Sequence, residues 1–200
     1  LNSDRLGLYL AIGVLLLATA VIVIRFKLAN GFRSSPPRSK NEPRFLQIIL
    51  GVLAALLGIV VVAAIVLPNS FPKASLNLSM PLRFAGIAMA GLGLALMYWS
   101  LISLGKNFSG SSGIHSDAQH CITGAYQFMR HPYYTATLLL SSGLSIAVSS
   151  WVLFVGGLLL FALLSIRSRA EEQELLRRFP DTYPAMQQRT GRFIPKLLKR

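Results

Sequence analysis

Apolar residues occur in long runs separated by short polar segments. The runs are Leu6–Ile24, Phe45–Leu67, Leu82–Leu104 and Tyr134–Ile166. The first three have about the length an α-helix needs to cross a bilayer. The fourth, at 33 residues, is too long for one ordinary span. Ser149 and Ser150 interrupt it near its middle, with Trp151 next, and this predicts two short, tilted helices forming a hairpin. The first run lacks a preceding basic segment and a clear cleavage pattern, so a retained span is expected rather than a signal peptide. Pro68, Pro72 and Pro81 mark the loop between the second and third runs. The pattern predicts an all-α, multi-span integral membrane protein with about five transmembrane helices. Three spans fall in residues 1–104. The C-terminal region, 105–200, carries the hairpin (134–166) and most of the unusual polar chemistry.

Composition agrees with the pattern. The chain is 53% hydrophobic and 14% charged, more apolar surface than a soluble domain of 200 residues can hide. The net charge of +13 raises the question of nucleic acid. The basic residues flank apolar runs, however, so membrane lipids are the expected partner and no nucleic acid is expected. Seventeen of the twenty Lys and Arg lie in Arg25–Arg44, Gly105–Tyr133 and Arg167–Arg200. Five spans place all three segments on one side, leaving Arg5, Lys73 and Arg83 on the other. The positive-inside rule then puts the N-terminus outside and the basic segments in the cytoplasm. Arg83 is expected to snorkel at the start of the third span.

Cys121 is the single cysteine, so no internal disulfide or cysteine-based metal site is expected. His115, His120 and His131 lack zinc-site spacing. Gly86, Gly91 and Gly93 in the third run are read as helix-packing positions. Ser109–Gly113 reads as a flexible loop.

Two polar clusters flank the hairpin. Gly124–Tyr134 (GAYQFMRHPYY) precedes it, with Arg130, His131, Tyr133 and Tyr134 at its start. An interfacial belt would use the same residue types. Arg167–Glu174 (RSRAEEQE) follows it. Arg167 and Glu171, at i and i+4, share a helix face, which would equally suit a solvated ion pair. Glu174 is expected on the Arg167/Glu171 side, a turn farther from the membrane, with Arg178 in pairing range. A hairpin brings both clusters to one interface, where Arg, His, Tyr and Glu beside an apolar wall make a candidate ligand site. Farther on, Phe179–Tyr183 and Thr190–Pro195 read as structured turns, and Lys196, Lys199 and Arg200 are expected to meet anionic lipid.

Gly124-x-Tyr126 followed by Arg130-His131-Pro132-x-Tyr134 resembles the G-x-Y-x3-R-H-P-x-Y signature of the isoprenylcysteine carboxyl methyltransferase family. Leu104–Ser109, Glu171-Glu172, Phe179, Tyr183 and Thr190-Gly191-Arg192-x2-Pro195 resemble further segments of it. The likeness covers about half of the chain. It departs at Ala118–Cys121, where the family has H-x-L-V, and at Pro180, where it has glycine. The resemblance implies an S-adenosylmethionine-dependent carboxyl O-methyltransferase acting on a lipid-like or prenylated substrate, most simply an isoprenylcysteine carboxylate, with its active site facing the cytoplasm. It implies cofactor contacts from Gln119, His120, Cys121, Gly124, Tyr126, Arg130, His131, Pro132, Tyr133, Tyr134, Glu171 and Glu172. Arg167 is implied to face the substrate and, with Glu171 and His131, to serve catalysis. Methyl transfer to a carboxylate needs no general base, because the acceptor is already ionised at neutral pH. An amine or thiol acceptor would use one, with His131 or Glu172 the candidates. Three alternatives remain: a phospholipid methyltransferase, an NADPH-dependent sterol-reductase-like enzyme, and a non-catalytic membrane module.

Overall fold

A computed structural model describes Gly13 and residues 43–66, 76–104 and 121–196. The first expected span, Leu6–Ile24, lies outside the described residues apart from Gly13. Within them the chain forms α1 (Arg44–Val66), α2 (Met80–Leu104), a 3-10 turn (Gly124–Gln127), α3 (Pro132–Ala147), α4 (Trp151–Arg178) and α5 (Tyr183–Arg189). The described residues contain no strand; a parallel bridge joins Met129 and Gly191. In lipid no water is present to satisfy backbone groups, so the apolar runs resolve as helices. α1, α2 and α4 are each long and apolar enough to cross a membrane. Their outward residues, among them Ile48, Val52, Ile59, Leu92 and Leu159, remain exposed, as a lipid-facing surface requires. The protein is an all-α membrane protein.

The hairpin forms where expected, but its two arms are unequal. α3 has 16 residues, about 24 Å of helix. α4 has 28, about 42 Å, well beyond the roughly 30 Å hydrocarbon core. The expectation of two short helices is therefore corrected. The polar stretch from Arg167 continues the same helix, so the membrane part of α4 ends near Ile166 and three further turns stand clear of it.

Ser149 and Ser150 make the reversal. Ser149 N–H donates to Ile146 O at 3.0 Å and Ser150 N–H to Ser145 O at 2.8 Å, the paired bonds of a Schellman C-cap. Ser149 holds the left-handed position, φ 56°. Ser150 then caps the next helix, its side chain accepting from Leu153 N–H. Arg83, expected to snorkel, donates Nε to Ala147 O at 2.9 Å, placing a cation on the last carbonyls of α3.

α2 and α3 share the most extensive interface. Its seam runs Gly86, Ala90, Gly93, Met97 on α2 against Ala136, Leu140, Gly143, Ala147 on α3, with the same 4-3-4 spacing on both sides. A Cβ on Gly93 would lie 2.6 Å from Leu140 N, and one on Gly143 would collide with Ala90 N. Two of the three glycines expected to pack, Gly86 and Gly93, sit in this seam, whereas Gly91 faces open space. A second cluster joins Leu46 and Leu50 of α1 to Tyr134, Leu160 and Leu164. It fixes the distance between the start of α3 and the middle of α4, about two turns before the polar clusters meet.

Candidate functional site

The site is assembled at the polar ends of α2, α3 and α4. At the end of α2, the Ser103 hydroxyl accepts from Ala125 N–H at 3.1 Å, and Ser103 O accepts from Cys121 Sγ at 3.1 Å. Gly124 makes this possible: its φ is +60° and a Cβ there would strike the Ser103 hydroxyl. The 3-10 turn carrying Tyr126 is thus pinned to α2. Gln119 and His120 lie outside the described residues.

Pro132 opens α3 at a position where a missing N–H costs nothing. This sets the segment before it, Arg130-His131, extended along the C-terminal segment. Arg130 N–H donates to Gly191 O at 2.9 Å and His131 N–H to Arg192 O at 3.0 Å.

Across the hairpin, Glu171 and Glu172 project about 100° apart around α4, and the His131 ring lies between them. His131 Nε2 is 3.2 Å from Glu172 Oε1, and Nδ1 is 3.6 Å from Glu171 Oε2. The Tyr134 hydroxyl donates to Glu171 Oε1 at 2.7 Å, and Arg167 Nε donates to the same oxygen at 3.0 Å. Tyr134 stacks on the imidazole at 5.3 Å between centroids. All five residues from the hairpin's two flanks that the sequence singles out most strongly, His131, Tyr134, Arg167, Glu171 and Glu172, therefore meet.

The two carboxylates have different surroundings. Glu172 receives Arg130 Nε at 2.9 Å, faces His131, and has Arg192 Nε at 3.5 Å. Burial alone would raise its pKa. The hydrogen bonds from His131 and Arg130, with their charges, outweigh that and hold the carboxyl at about 2. Arg130 is itself committed: its Nη1 donates to Gln187 O at 3.3 Å and Thr190 O at 2.7 Å, closing the C-terminus of α5 with a cation. Beside this node Tyr183 is almost fully buried. Burial first, then the negative charge of Glu172, push its phenol well above its ordinary pKa. Glu172 thus anchors α5 and the tail, whereas Glu171 sits nearer the membrane among Tyr134 and Arg167.

Ser103 and Thr135 were not singled out by the sequence, and Arg192 and Phe193 were read there only as part of the Thr190–Pro195 turn, with no role in the site. Thr135 Oγ1 donates to Phe193 O at 2.6 Å. Phe193 lies 5.8 Å from the His131 ring and 5.1 Å from Phe161. The aromatic and glycine of the Thr190–Pro195 turn were the available signal.

The site thus stands at one helical end of an all-α membrane fold, with paired glutamates facing a His-Pro-Tyr segment. The phospholipid methyltransferase family matches residues 82–182, just over half of the chain, and the chain belongs to that family. It falls in the same membrane methyltransferase clan as the isoprenylcysteine carboxyl methyltransferases. No curated protein matches the chain.

Proposed function

We propose that the protein transfers a methyl group from S-adenosylmethionine to a lipid-borne acceptor, and that the preferred acceptor is a carboxylate such as that of an isoprenylated cysteine. The observation that carries this reading is the Tyr134–Glu171–Arg167 network beside His131, at the boundary between an apolar helix pair and a polar cap. S-adenosylmethionine presents groups of both signs: an amine and ribose hydroxyls that a carboxylate holds, and a carboxylate that a cation holds. Glu171, Tyr126, Tyr133, Tyr134 and His131 supply the matching acceptor and aromatic surfaces. When bound, this cofactor supplies an electrophilic methyl on a sulfonium, and the C–S electron pair leaves with the sulfur as a neutral thioether.

The protein's own part is alignment and exclusion of water. Glu172, held at about 2 by its cations, is a poor proton acceptor near neutral pH. Glu171 already receives Tyr134 and Arg167. Glu172 is therefore not poised as a base, which suits an acceptor that is already ionised. Arg167, at the membrane boundary, is the cation placed to hold such an acceptor. A second reading, an amino head group of a phospholipid, is favoured by the family match. Its ammonium must lose a proton, and with Glu172 removed from consideration the base would be His131.

Calorimetry of the purified protein with S-adenosylhomocysteine, S-adenosylmethionine and NADPH tests the cofactor. Binding of NADPH without S-adenosylhomocysteine would replace this reading by the reductase. Transfer of labelled methyl to a prenylated cysteine analogue, set against phosphatidylethanolamine vesicles, decides between acceptors. The cytoplasmic placement of the site rests on the basic segments. Reporter fusions at residues 72 and 200 falling on the same side would overturn it.

A further inference from the structure

We infer that the C-terminal strap Thr190–Pro195 is part of the working site, with Phe193 as a positioning residue for His131. The inference rests on the methyltransferase reading for its activity readout only.

The strap is tied to the His131 segment in three ways and to α4 in a fourth. Its backbone carbonyls at Gly191 and Arg192 take the N–H groups of Arg130 and His131. Thr190 O takes Arg130 Nη1. Phe193 O takes the Thr135 hydroxyl one turn into α3. Arg192 Nε, which is buried and makes no hydrogen bond, stands 3.5 Å from Glu172 Oε1 as an ion pair.

Gly191 allows the strap to turn back: a Cβ there would collide with Ile194 O. The turn delivers the Phe193 ring between two others. One neighbour is Phe161, in the apolar part of α4, met edge-on at 64°. The other is the His131 imidazole, met at 43°, while Tyr134 stacks on that imidazole at 13°.

An imidazole between two carboxylates has no reason to stay centred. The 3.2 Å contact to Glu172 would draw it away from Glu171, which stands at 3.6 Å. Rings have few soft torsions, so aromatic neighbours fix a position at small entropy cost. Phe193 is anchored at its backbone by Thr135 and at its ring by Phe161. It therefore acts as a stop for the imidazole and carries the position of a membrane helix into the polar site.

The test is a double-mutant cycle in the full-length protein, with Phe193→Leu, His131→Gln and the pair, reading the S-adenosylhomocysteine dissociation constant and kcat. Phe193→Leu is expected to weaken binding or slow turnover by up to about ten-fold, the scale of one lost aromatic pair. Phe193→Tyr is expected to restore both to within about two-fold. In the His131→Gln background, Phe193→Leu should add little, because the residue acts through that ring. An equal effect in both backgrounds, accompanied by a matching fall in melting temperature, would make Phe193 merely structural and overturn the inference. So would a silent Phe193→Leu. A wild-type protein that binds no S-adenosylhomocysteine strikes the methyltransferase reading instead. Phe193→Leu and Phe193→Tyr are then compared on the 13C resonances of the His131 imidazole in histidine-labelled protein, with His131→Gln assigning the signal. There, ring broadening in Phe193→Leu that Phe193→Tyr reverses upholds the strap, and an unchanged ring overturns it.

Discussion

The α2–α3 seam and the polar cap at the ends of α3 and α4 are joined by one helix yet held by opposite means. The seam is specific because atoms are missing. Gly86, Gly93 and Gly143 let two backbones approach until a single Cβ would overlap main-chain atoms. The cap is specific because long side chains are present and fully used, with Glu172 facing two guanidinium groups and an imidazole, and Glu171 two donors and the same ring. Lipid gives helices no hydrophobic reason to associate, so close packing must supply it. Near the aqueous boundary, charge-assisted bonds become the stronger device. Substitutions in the seam should therefore act through volume, and those in the cap through charge.

The largest effect is expected from Gly143→Leu. The added atoms meet the backbone of α2 at Ala90, which cannot move without separating the helices. Overpacking of this kind costs roughly 3 kcal/mol or more, and loss of the monodisperse peak in size-exclusion chromatography is the expected result. Gly91→Ala is the control, since nothing lies within 4 Å of its Cβ. Equal behaviour of the two would break the account of the seam.

Glu172→Gln comes next and shows the cap failing through charge at nearly constant volume. It strands Arg130, His131 and Arg192 together, and breaking a largely buried pair costs about 3 kcal/mol. The pH dependence has a defined sign. Glu172 has its folded-state pKa lowered from about 4.5 to about 2. Its contribution is therefore complete above pH ~4.5 and is lost as the pH falls towards 2. Wild-type melting temperature should drop across that window, and Glu172→Gln should flatten the drop. A variant with the same acid profile as wild type would show that Glu172 is not the anchor.

These two regions were also unequally legible in the sequence. The runs Phe45–Leu67 and Leu82–Leu104 differ from α1 and α2 by two residues at most, because hydropathy in a bilayer leaves few alternatives. The break at Ser149–Ser150 was visible for the same reason. The pairing of the His131 and Glu171 segments followed from the hairpin. The commitments of Arg130 to Gln187 and Thr190, and of Phe193 to His131, did not. They join residues far apart in sequence through a tail without a strong periodic pattern, and only the folded path of the strap brings them together. The helical spacing of Arg167, Glu171 and Glu174 was legible, but that one unbroken helix carries both it and the apolar arm was not, because a change from apolar to charged residues marks a change of solvent, which a helix can cross without ending.

Glu171→Gln should separate ligand binding from anchoring within the cap. It keeps the shape but weakens what Tyr134 and Arg167 donate to, and S-adenosylhomocysteine affinity is expected to fall about ten-fold or more. Melting temperature should move less than in Glu172→Gln. Arg167→Ala should lower turnover more than cofactor affinity, although its bond to Glu171 couples the two by a few-fold. Glu174→Gln, on the same stretch of helix, is expected to be nearly silent in both measurements. Equal cofactor affinity in Glu171→Gln and wild type would move the ligand role to Glu172.

The smallest effect, and the only stabilising one, is expected at the far end of the hairpin, where neither volume nor charge decides. Ser149 occupies the left-handed position of the Schellman turn at φ 56°, a conformation that costs a residue with a Cβ roughly 1 kcal/mol. Its hydroxyl is buried without a hydrogen-bond partner, so removing it takes nothing from the turn. The bonds that make the reversal are all backbone bonds, from Ser149 and Ser150 N–H and from Leu76 N–H to Ser149 O, and glycine keeps every one. Glycine also loses more chain entropy on folding, which offsets part of the gain. Ser149→Gly should therefore raise the melting temperature slightly, by the equivalent of about 0.5 kcal/mol, with methyl transfer unchanged because the site lies at the opposite end of α3. Ser150→Gly should do the reverse, since the Ser150 side chain accepts from Leu153 N–H at the start of α4 and loss of such a cap costs about 1 kcal/mol when alanine replaces it and a few tenths when glycine does. Opposite signs at two adjacent serines are the result to look for in a thermal melt. The same sign at both would mean that the turn is held by packing against the Leu76 segment and that its backbone geometry is secondary.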